Sequence, residues 1–200
     1  TSYIPTNGST VTRNADVLTV APPSGTTEIV ETLEDITYYI GGNNLITYSE
    51  DFSDASWVKV SSTITANATT SPNGTLTADL FREDASTGAH LLRQVAAGYT
   101  FSIYAKSLGR QWLMLYSGVV NSNAYFDLIN GVVGTTLSDV VSTNITEVGN
   151  GWFRCDVSWS TLANNARLYL SDNDGSFNYT GDGVSGVYLW GAQLEQGGLT

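Results

Sequence analysis

The sequence predicts an all-β protein built as an antiparallel β-sandwich, and three observations lead to this prediction. Apolar and polar residues alternate with a period of two over many short stretches, such as YTFSIYAKS at residues 99–107. This is the spacing of a strand with one buried face. Gly- and Asn-rich turn clusters separate the stretches, for example at residues 71–74, 130–131 and 149–151. Thr, Val, Tyr and Ser dominate, which suits pleated surfaces.

The first 42 residues differ in amino-acid composition from the rest of the chain. They hold three of the four prolines and the acidic run EIVETLED, and the change in composition ends at Gly41-Gly42. We therefore predict a boundary there. Residues 1–42 form an N-terminal segment, either a linker or edge strands in an extended conformation. Residues 43–200 form the sandwich module.

Within the module, the alternation assigns side chains to the inner faces of the strands. The stretch SDASW at residues 53–57 is the only candidate for helix, and it amounts to a single turn. Asn130-Gly131 is a strong two-residue hairpin signal. The predicted inward residues are Leu76, Ala78, Leu80, Phe101, Ile103, Leu168, Leu170, Val187, Leu189 and Trp190.

The charge balance excludes some classes of partner. Nineteen acidic residues against eight basic ones give a net charge of −11, whereas nucleic-acid binding needs clustered Lys and Arg. The sequence has neither a basic amphipathic stretch nor an apolar run long enough to span a bilayer. We expect no nucleic acid and no membrane insertion.

The single cysteine and the single histidine limit the chemistry of the chain. Cys155 has no partner for an internal disulfide, and alternation places it on the same face as Phe153 and Trp159, so we expect a buried thiol. His90 has no second histidine and no nearby cysteine. A zinc site or a Cys-His nucleophile therefore lacks its residues.

One strand carries a candidate binding strip. In RQWLMLYSG, Trp112 and Tyr116 share a face, with Arg110 and Gln111 beside them and Tyr125 following in the chain. Flat aromatic rings next to planar and amide donors are the groups that bind sugars. The alternative is that this face points into the core, and the sequence does not decide between the two.

An oxygen-rich loop is a candidate calcium site. Asp172, Asp174 and Asp182 lie in SDNDGSFNYTGDG, and calcium takes six to eight oxygen ligands. The spacing is not that of an EF-hand. Asp and Asn also form turns by bonding their own backbone, and a plain turn is the favoured interpretation.

Nothing in the sequence assembles a catalytic site, so we predict that the protein is not an enzyme. The adjacent acidic pairs Glu34-Asp35, Glu50-Asp51 and Glu83-Asp84 point to opposite faces of a strand. A glycosidase needs two carboxyl groups facing each other across a sugar. No phosphate loop, GxSxG or HExxH motif is present. A polysaccharide-cleaving domain would need residues distant in sequence.

Several long phrases resemble a known family. They are NLITYSEDFSDASWVKVSSTITANATTSPNGTLTADLF, ITEVGNGWFRCDVSW and YTGDGVSGVYLWGAQLEQG, together with the amino-terminal TSYIPTNGSTVTRNADVL. They are similar to jelly-roll modules of tailed-phage virion proteins, found in tail fibres, tailspikes and other appendages, which themselves resemble carbohydrate-binding modules.

The resemblance implies a jelly-roll fold and a place in the virion. It implies a non-catalytic module that binds a cell-surface glycan or polysaccharide during host recognition. Other virion subunits, including further copies of the chain, are the implied protein partners. The alternative is a purely structural or oligomerisation module of a virion fibre. A structural calcium ion is common in such binding modules, and no other cofactor is implied.

The two ends of the sequence suggest how the module is used. In the family, the phrase at residues 1–18 normally follows the module, whereas here it precedes the module. Either the chain is one unit of a tandem array, or residues 1–20 lie against the module as an extra edge strand, on this chain or on a neighbouring subunit. Such a strand would cover an unpaired sheet edge.

Overall fold

The protein is all-β, as a computed structural model shows for residues 11–12 and 43–197. Those residues contain no helix, and residues 53–57 form turns. The strands are β1 (Val11–Thr12), β2 (Asn43–Asn44), β3 (Val58–Val60), β4 (Ser62–Thr69), β5 (Ala78–Glu83), β6 (Thr87–Ala89), β7 (Leu91–Gln94), β8 (Thr100–Leu108), β9 (Trp112–Tyr116), β10 (Asn123–Asp127), β11 (Val132–Thr136), β12 (Val140–Gly149), β13 (Trp152–Trp159), β14 (Ala166–Ser171), β15 (Asn178–Thr180) and β16 (Gly186–Glu195).

Two six-stranded antiparallel sheets make the sandwich. The β9 sheet has the order β11-β10-β9-β14-β7-β3, and the β8 sheet has the order β12-β13-β8-β16-β5-β4. The eight central strands, taken in chain order as one to eight, are β5, β7, β8, β9, β10, β13, β14 and β16. They give the order 1-8-3-6 in one sheet and 2-7-4-5 in the other. Apart from the fourth and fifth, which are neighbours in one sheet, successive strands pass between the sheets as in an eight-stranded jelly roll. This confirms the predicted fold.

The core lies between the two sheets. Cys155 is fully buried there, on the same face as Phe153 and Trp159, as predicted. Trp57 closes the core beside the turn at residues 52–57, and its indole nitrogen donates to the Tyr48 carbonyl oxygen at 3.1 Å. The inward residues that the structure confirms are Phe101, Ile103, Leu168, Leu170, Val187 and Leu189.

The prediction for β5 was wrong in its choice of face. Leu76 lies in the turn before the strand and is 63% exposed. Ala78 packs with Trp152 and Trp190 in a second cluster, outside the central core. Phe81 fills the central core from this strand instead, because residues of odd number point inward in the second half of β5.

Trp190 is buried, as predicted, but not between the sheets. It packs in the second cluster against Tyr104, with ring centroids 5.2 Å apart. The pairing of β16 with β8 shifts register between Trp190 and Gln193, and Gly191 within the shift has φ of 64°. Trp190 points away from the core by regular alternation, because Val187 and Leu189 point into it. The bulge then turns Ala192 into the core, although regular alternation would place it on the face of Trp190.

Little of the N-terminal segment falls within the described residues. Val11–Thr12 pair antiparallel with Asn43–Asn44. The amide of the next residue, Leu45, donates to the Leu194 carbonyl oxygen of β16 at 2.8 Å. This pairing agrees with an edge-strand role for the segment near residues 11–12. The boundary at residue 42 stays a prediction, because residues 13–42 lie outside the described part of the chain.

Candidate functional site

The outer face of the β9 sheet carries an aromatic cluster. Leu113 and Leu115 of β9 are fully buried in the central core, so the alternate residues of this strand point away from it. Met114, Tyr125 and Tyr169 are buried on that outer face, and the partly buried residues packed against them are Ala89, Leu91, Trp112, Tyr116 and Phe177. We call this surface the aromatic face. Trp112 and Tyr116 therefore do not face the core, which was the alternative to a binding strip that the sequence left open.

The two rings at the ends of β9 are partly exposed members of the aromatic face. Trp112 packs against Gly134 of β11, where an added Cβ atom would lie 2.5 Å from the indole. Tyr116 meets Tyr169 with ring centroids 6.2 Å apart in an edge-on arrangement. The two rings are four residues apart, so about 13 Å of strand separates them. The buried side chains of Met114 and Tyr169 lie under this span.

Tyr125 belongs to the buried floor of the aromatic face. It pairs with Met114 in the β10–β9 ladder and is 1% exposed. Burial raises the pKa of its hydroxyl. The sequence placed Tyr125 correctly beside Trp112 and Tyr116, but as a direct ligand contact it offers less area than either. We therefore regard it as a support for the exposed rings.

Arg110 and Gln111 do not lie free beside the rings, and this corrects the arrangement predicted for the strip. Arg110 donates through Nε to Glu83 at 2.9 Å and through Nη2 at 2.5 Å, and it stacks over the Tyr179 ring at 4.7 Å. Gln111 donates its amide to Asp127 Oδ2 at 2.8 Å. Both side chains are oriented by carboxylates of the protein itself.

The Arg110 partner is a buried carboxylate that sequence reasoning did not select. Glu83 is 1% exposed and also accepts hydrogen bonds from the Tyr179 hydroxyl at 2.6 Å and the Asp182 amide at 2.9 Å. Burial lowers the pKa of Arg110, but the hydrogen bonds to Glu83 and the charges of Glu83, Tyr179 and Asp182 together outweigh it, so the pKa is raised. Burial and the hydrogen bond to Glu83 raise the pKa of Tyr179 far above its ordinary value. The cluster therefore holds a fixed ion pair between the end of β5 and the connection from β8 to β9, with Tyr179 of β15 beside it.

The three candidate calcium ligands are not brought together. Asp174 binds Thr135 of β11, accepting from its amide at 2.8 Å and its hydroxyl at 3.1 Å. Asp182 caps its own turn, accepting from the amides of Val184 and Ser185. Asp172 accepts a hydrogen bond neither from Thr135 nor from the amides of Val184 and Ser185. No group of three or more His, Cys, Asp or Glu side chains suited to a metal ion occurs in residues 43–197. Asp182 thus forms a turn with its own backbone, whereas Asp174 bonds to strand β11.

The acidic pair Glu83-Asp84 does not have the geometry of a glycosidase site. Glu83 is enclosed by Arg110 and Tyr179, while Asp84 accepts from the amide and hydroxyl of Ser86. Glu34-Asp35 lies outside the described residues. His90 is fully buried, and its Nδ1 lies 2.7 Å from the Ser61 carbonyl oxygen. These groups serve the packing of the fold, and their arrangement does not present a carboxyl pair to a sugar.

Two arginines on the aromatic face were missed at the level of sequence. Arg167 of β14 pairs with Tyr116 of β9 and, on its other side, with Arg93 of β7. The alternation in ARLYLSD places Arg167 on the face of Tyr169, so the direction of the side chain could have been inferred. The adjacency to Tyr116 could not, because β9 and β14 are separated by some fifty residues of chain.

The fold and the face together define a jelly-roll β-sandwich with an aromatic surface on one sheet. Comparison of the chain with known protein families and with curated protein sequences finds no match. No helix in the described part of the chain is long and apolar enough to cross a membrane. The inference of function therefore depends on the chemistry of the aromatic face and on the sequence resemblance noted above.

Proposed function

We propose that the protein is a non-catalytic glycan-binding module, and that the aromatic face of the β9 sheet is its binding surface. One observation carries the proposal. Trp112 and Tyr116 stand partly exposed on the outer face of a sheet whose alternate residues fill the core. Aromatic rings bind the apolar faces of sugars, and the sheet beneath them is rigid. The sequence resemblance to virion appendage modules supports host-surface recognition on a virion as the setting.

The strength of binding follows from the size of this surface. Two partly buried rings with a few polar neighbours offer limited contact area. We expect an affinity between millimolar and micromolar, about −4 to −8 kcal/mol. Several copies in one virion appendage would raise the avidity by presenting several sites at once.

The test is a glycan array followed by titration calorimetry with the sugars that bind. Trp112→Ala and Tyr116→Ala should each abolish measurable binding. Tyr188→Ala is the matched control, because Tyr188 is a partly buried tyrosine packed in the cluster on the other sheet. It should bind as the native protein does.

Stability must be measured for the same variants. Since Trp112 is only partly buried, Trp112→Ala should cost less than the roughly 3–5 kcal/mol typical of a fully buried aromatic residue. If both ring variants remain folded and bind every sugar that the native protein binds, then the aromatic face is not the site.

A second candidate function is assembly of a fibre, which one feature of the β8 sheet favours. The ten-residue strand β12 lies at the edge of that sheet, and it exposes Val141 by 64% and Val148 by 42%. Long exposed edge strands pair with other chains. Light scattering tests this function. A stable oligomer that Val141→Lys dissociates, in a protein that binds no glycan, would favour assembly over glycan recognition.

A further inference from the structure

Two arginines on neighbouring strands lie in line with one of the rings of the aromatic face. Across the sheet, Tyr116 pairs with Arg167, and Arg167 pairs with Arg93. Their inward neighbours on the same strands are fully buried in the core: Leu92, Leu115 and Leu168. The row therefore lies on the outer face, and both arginines are partly exposed there. We call Arg93 and Arg167 the basic pair.

The basic pair has no carboxylate partner within residues 43–197. The ion pairs of that range involve other cations: His90, Arg110 and Arg154. Like charges directly opposite each other on neighbouring strands destabilise a sheet. The chain carries 19 acidic residues, yet none in this range forms an ion pair with either guanidinium. An external anion would offset the repulsion.

Arg167 offers an anion hydrogen-bond donors beside an aromatic ring. Its guanidinium lies 5.3 Å from the centre of the Tyr116 ring. Its Nε is buried and makes no hydrogen bond in the described part of the structure. Gly118 leaves room beside the guanidinium, since an added Cβ atom there would be 3.2 Å from Arg167 Nη2. An aromatic ring and a guanidinium group thus lie next to each other.

We infer that the glycan is acidic, and that the basic pair binds its carboxylate while the ring of Tyr116 contacts the sugar beside it. This inference depends on the proposed function, because it assigns the class of ligand to the same face. Arginine presents parallel N–H donors that match a carboxylate in a two-point contact. A uronic or other carboxylated sugar supplies that group next to an apolar ring face. A neutral sugar would leave the two adjacent charges uncompensated.

The experiment compares acidic oligosaccharides with their methyl esters. Oligomers of galacturonic acid, of alginate and of polysialic acid are titrated in low salt, each beside its esterified form. We expect at least one acid to bind ten or more times tighter than its ester. Arg167→Gln and Arg93→Gln should remove most of that difference. Lys106→Gln is the matched control, since it deletes one positive charge from the other sheet and should leave the ratio unchanged.

A direct measurement on the side chain accompanies the titration. Arg167 Nε–H should shift in the NMR spectrum when glucuronate is added and stay in place with glucose. The shift should decrease with added salt, because salt screens partly exposed charges.

The outcomes separate this inference from the proposed function. If acids and esters bind equally, Tyr116→Ala abolishes both and Arg167→Gln changes neither, the acidic-ligand inference is wrong and the glycan site stands. If no acid or ester binds and glucuronate moves no Arg167 signal, the inference is overturned, and the glycan array on neutral sugars then decides the proposed function alone.

Discussion

Replacing Glu83 by Gln tests the buried ion pair between β5 and the connection from β8 to β9. The substitution keeps the shape of the side chain but removes the charge that Arg110 faces. Removing one partner of a buried ion pair costs about 3–5 kcal/mol, because the other charge is left uncompensated. The Arg110 side chain is 14% exposed, whereas the Glu83 side chain is fully buried. Water can therefore reach Arg110 in part, and we expect the lower end of that range.

The assay is thermal and urea unfolding followed by circular dichroism. A loss of about 3 kcal/mol corresponds to a fall in melting temperature of roughly 6–12 °C for a domain of this size. Glu147→Gln is the control, because Glu147 is exposed on edge strand β12. Its substitution should change stability by no more than about 0.5 kcal/mol.

A double-substitution cycle isolates the interaction itself. Arg110→Met removes the other charge, and Glu83→Gln with Arg110→Met removes both. The double variant should be more stable than the sum of the two single losses predicts, because neither charge is then left unpaired. Equal stability of native protein and Glu83→Gln, or strict additivity in the cycle, would refute the reasoning.

Three further predictions concern single side chains. Cys155 is fully buried, and burial raises its pKa well above the ordinary value; a thiol reagent should modify it only after unfolding, and rapid labelling of the native protein would contradict this. Millimolar calcium should leave the melting temperature unchanged, because Asp174 and Asp182 bind separate partners; a rise that Asp174→Ala removes would restore the calcium site. Hydrogen bonds from the hydroxyl and amide of Ser185 and the amide of Val184 hold the Asp182 pKa well below its usual range. The carboxylate therefore contributes stability above the unfolded pKa of about 4 and loses it as the pH falls. The stability difference between native protein and Asp182→Asn should shrink from pH 7 towards pH 3, and a constant difference would contradict the assignment.

The sequence predicted well wherever a property depends on alternation within one strand. The burial of Cys155 and the shared face of Trp112 and Tyr116 follow from a period of two alone. Whether that shared face points into the core or away from it did not follow from the alternation. Because Leu113 and Leu115 are also apolar, either face of β9 could have been the inner one. Only the packing of two sheets against each other decided it.

Predictions failed where the chain departs from regular alternation. The bulge at Gly191 puts Trp190 and Ala192 on opposite sides of their sheet, although regular alternation would place them on one face. A bulge leaves a weak signal in one sequence, since a glycine in a strand has several explanations.

Contacts between strands that are far apart in the chain could not be predicted from the sequence either. Arg110 was predicted beside Trp112 because the two are close in sequence, but its side chain pairs with Glu83 of the other sheet. Arg167, fifty-one residues beyond Tyr116 in the chain, lies next to that ring instead. Strand order decides both contacts, and it is set by the topology of the whole sandwich.

Mapping a bound sugar by NMR on the native protein tests the central claim most directly. An oligosaccharide identified by array is titrated into isotope-labelled protein, and shifted backbone and side-chain signals are placed on the fold. The account predicts that the largest shifts occur at the Trp112 indole, at Tyr116 and at their neighbours on β10 and β14. Shifts confined to the β8 sheet or to edge strand β12, with the signals of the aromatic face unmoved, would contradict it.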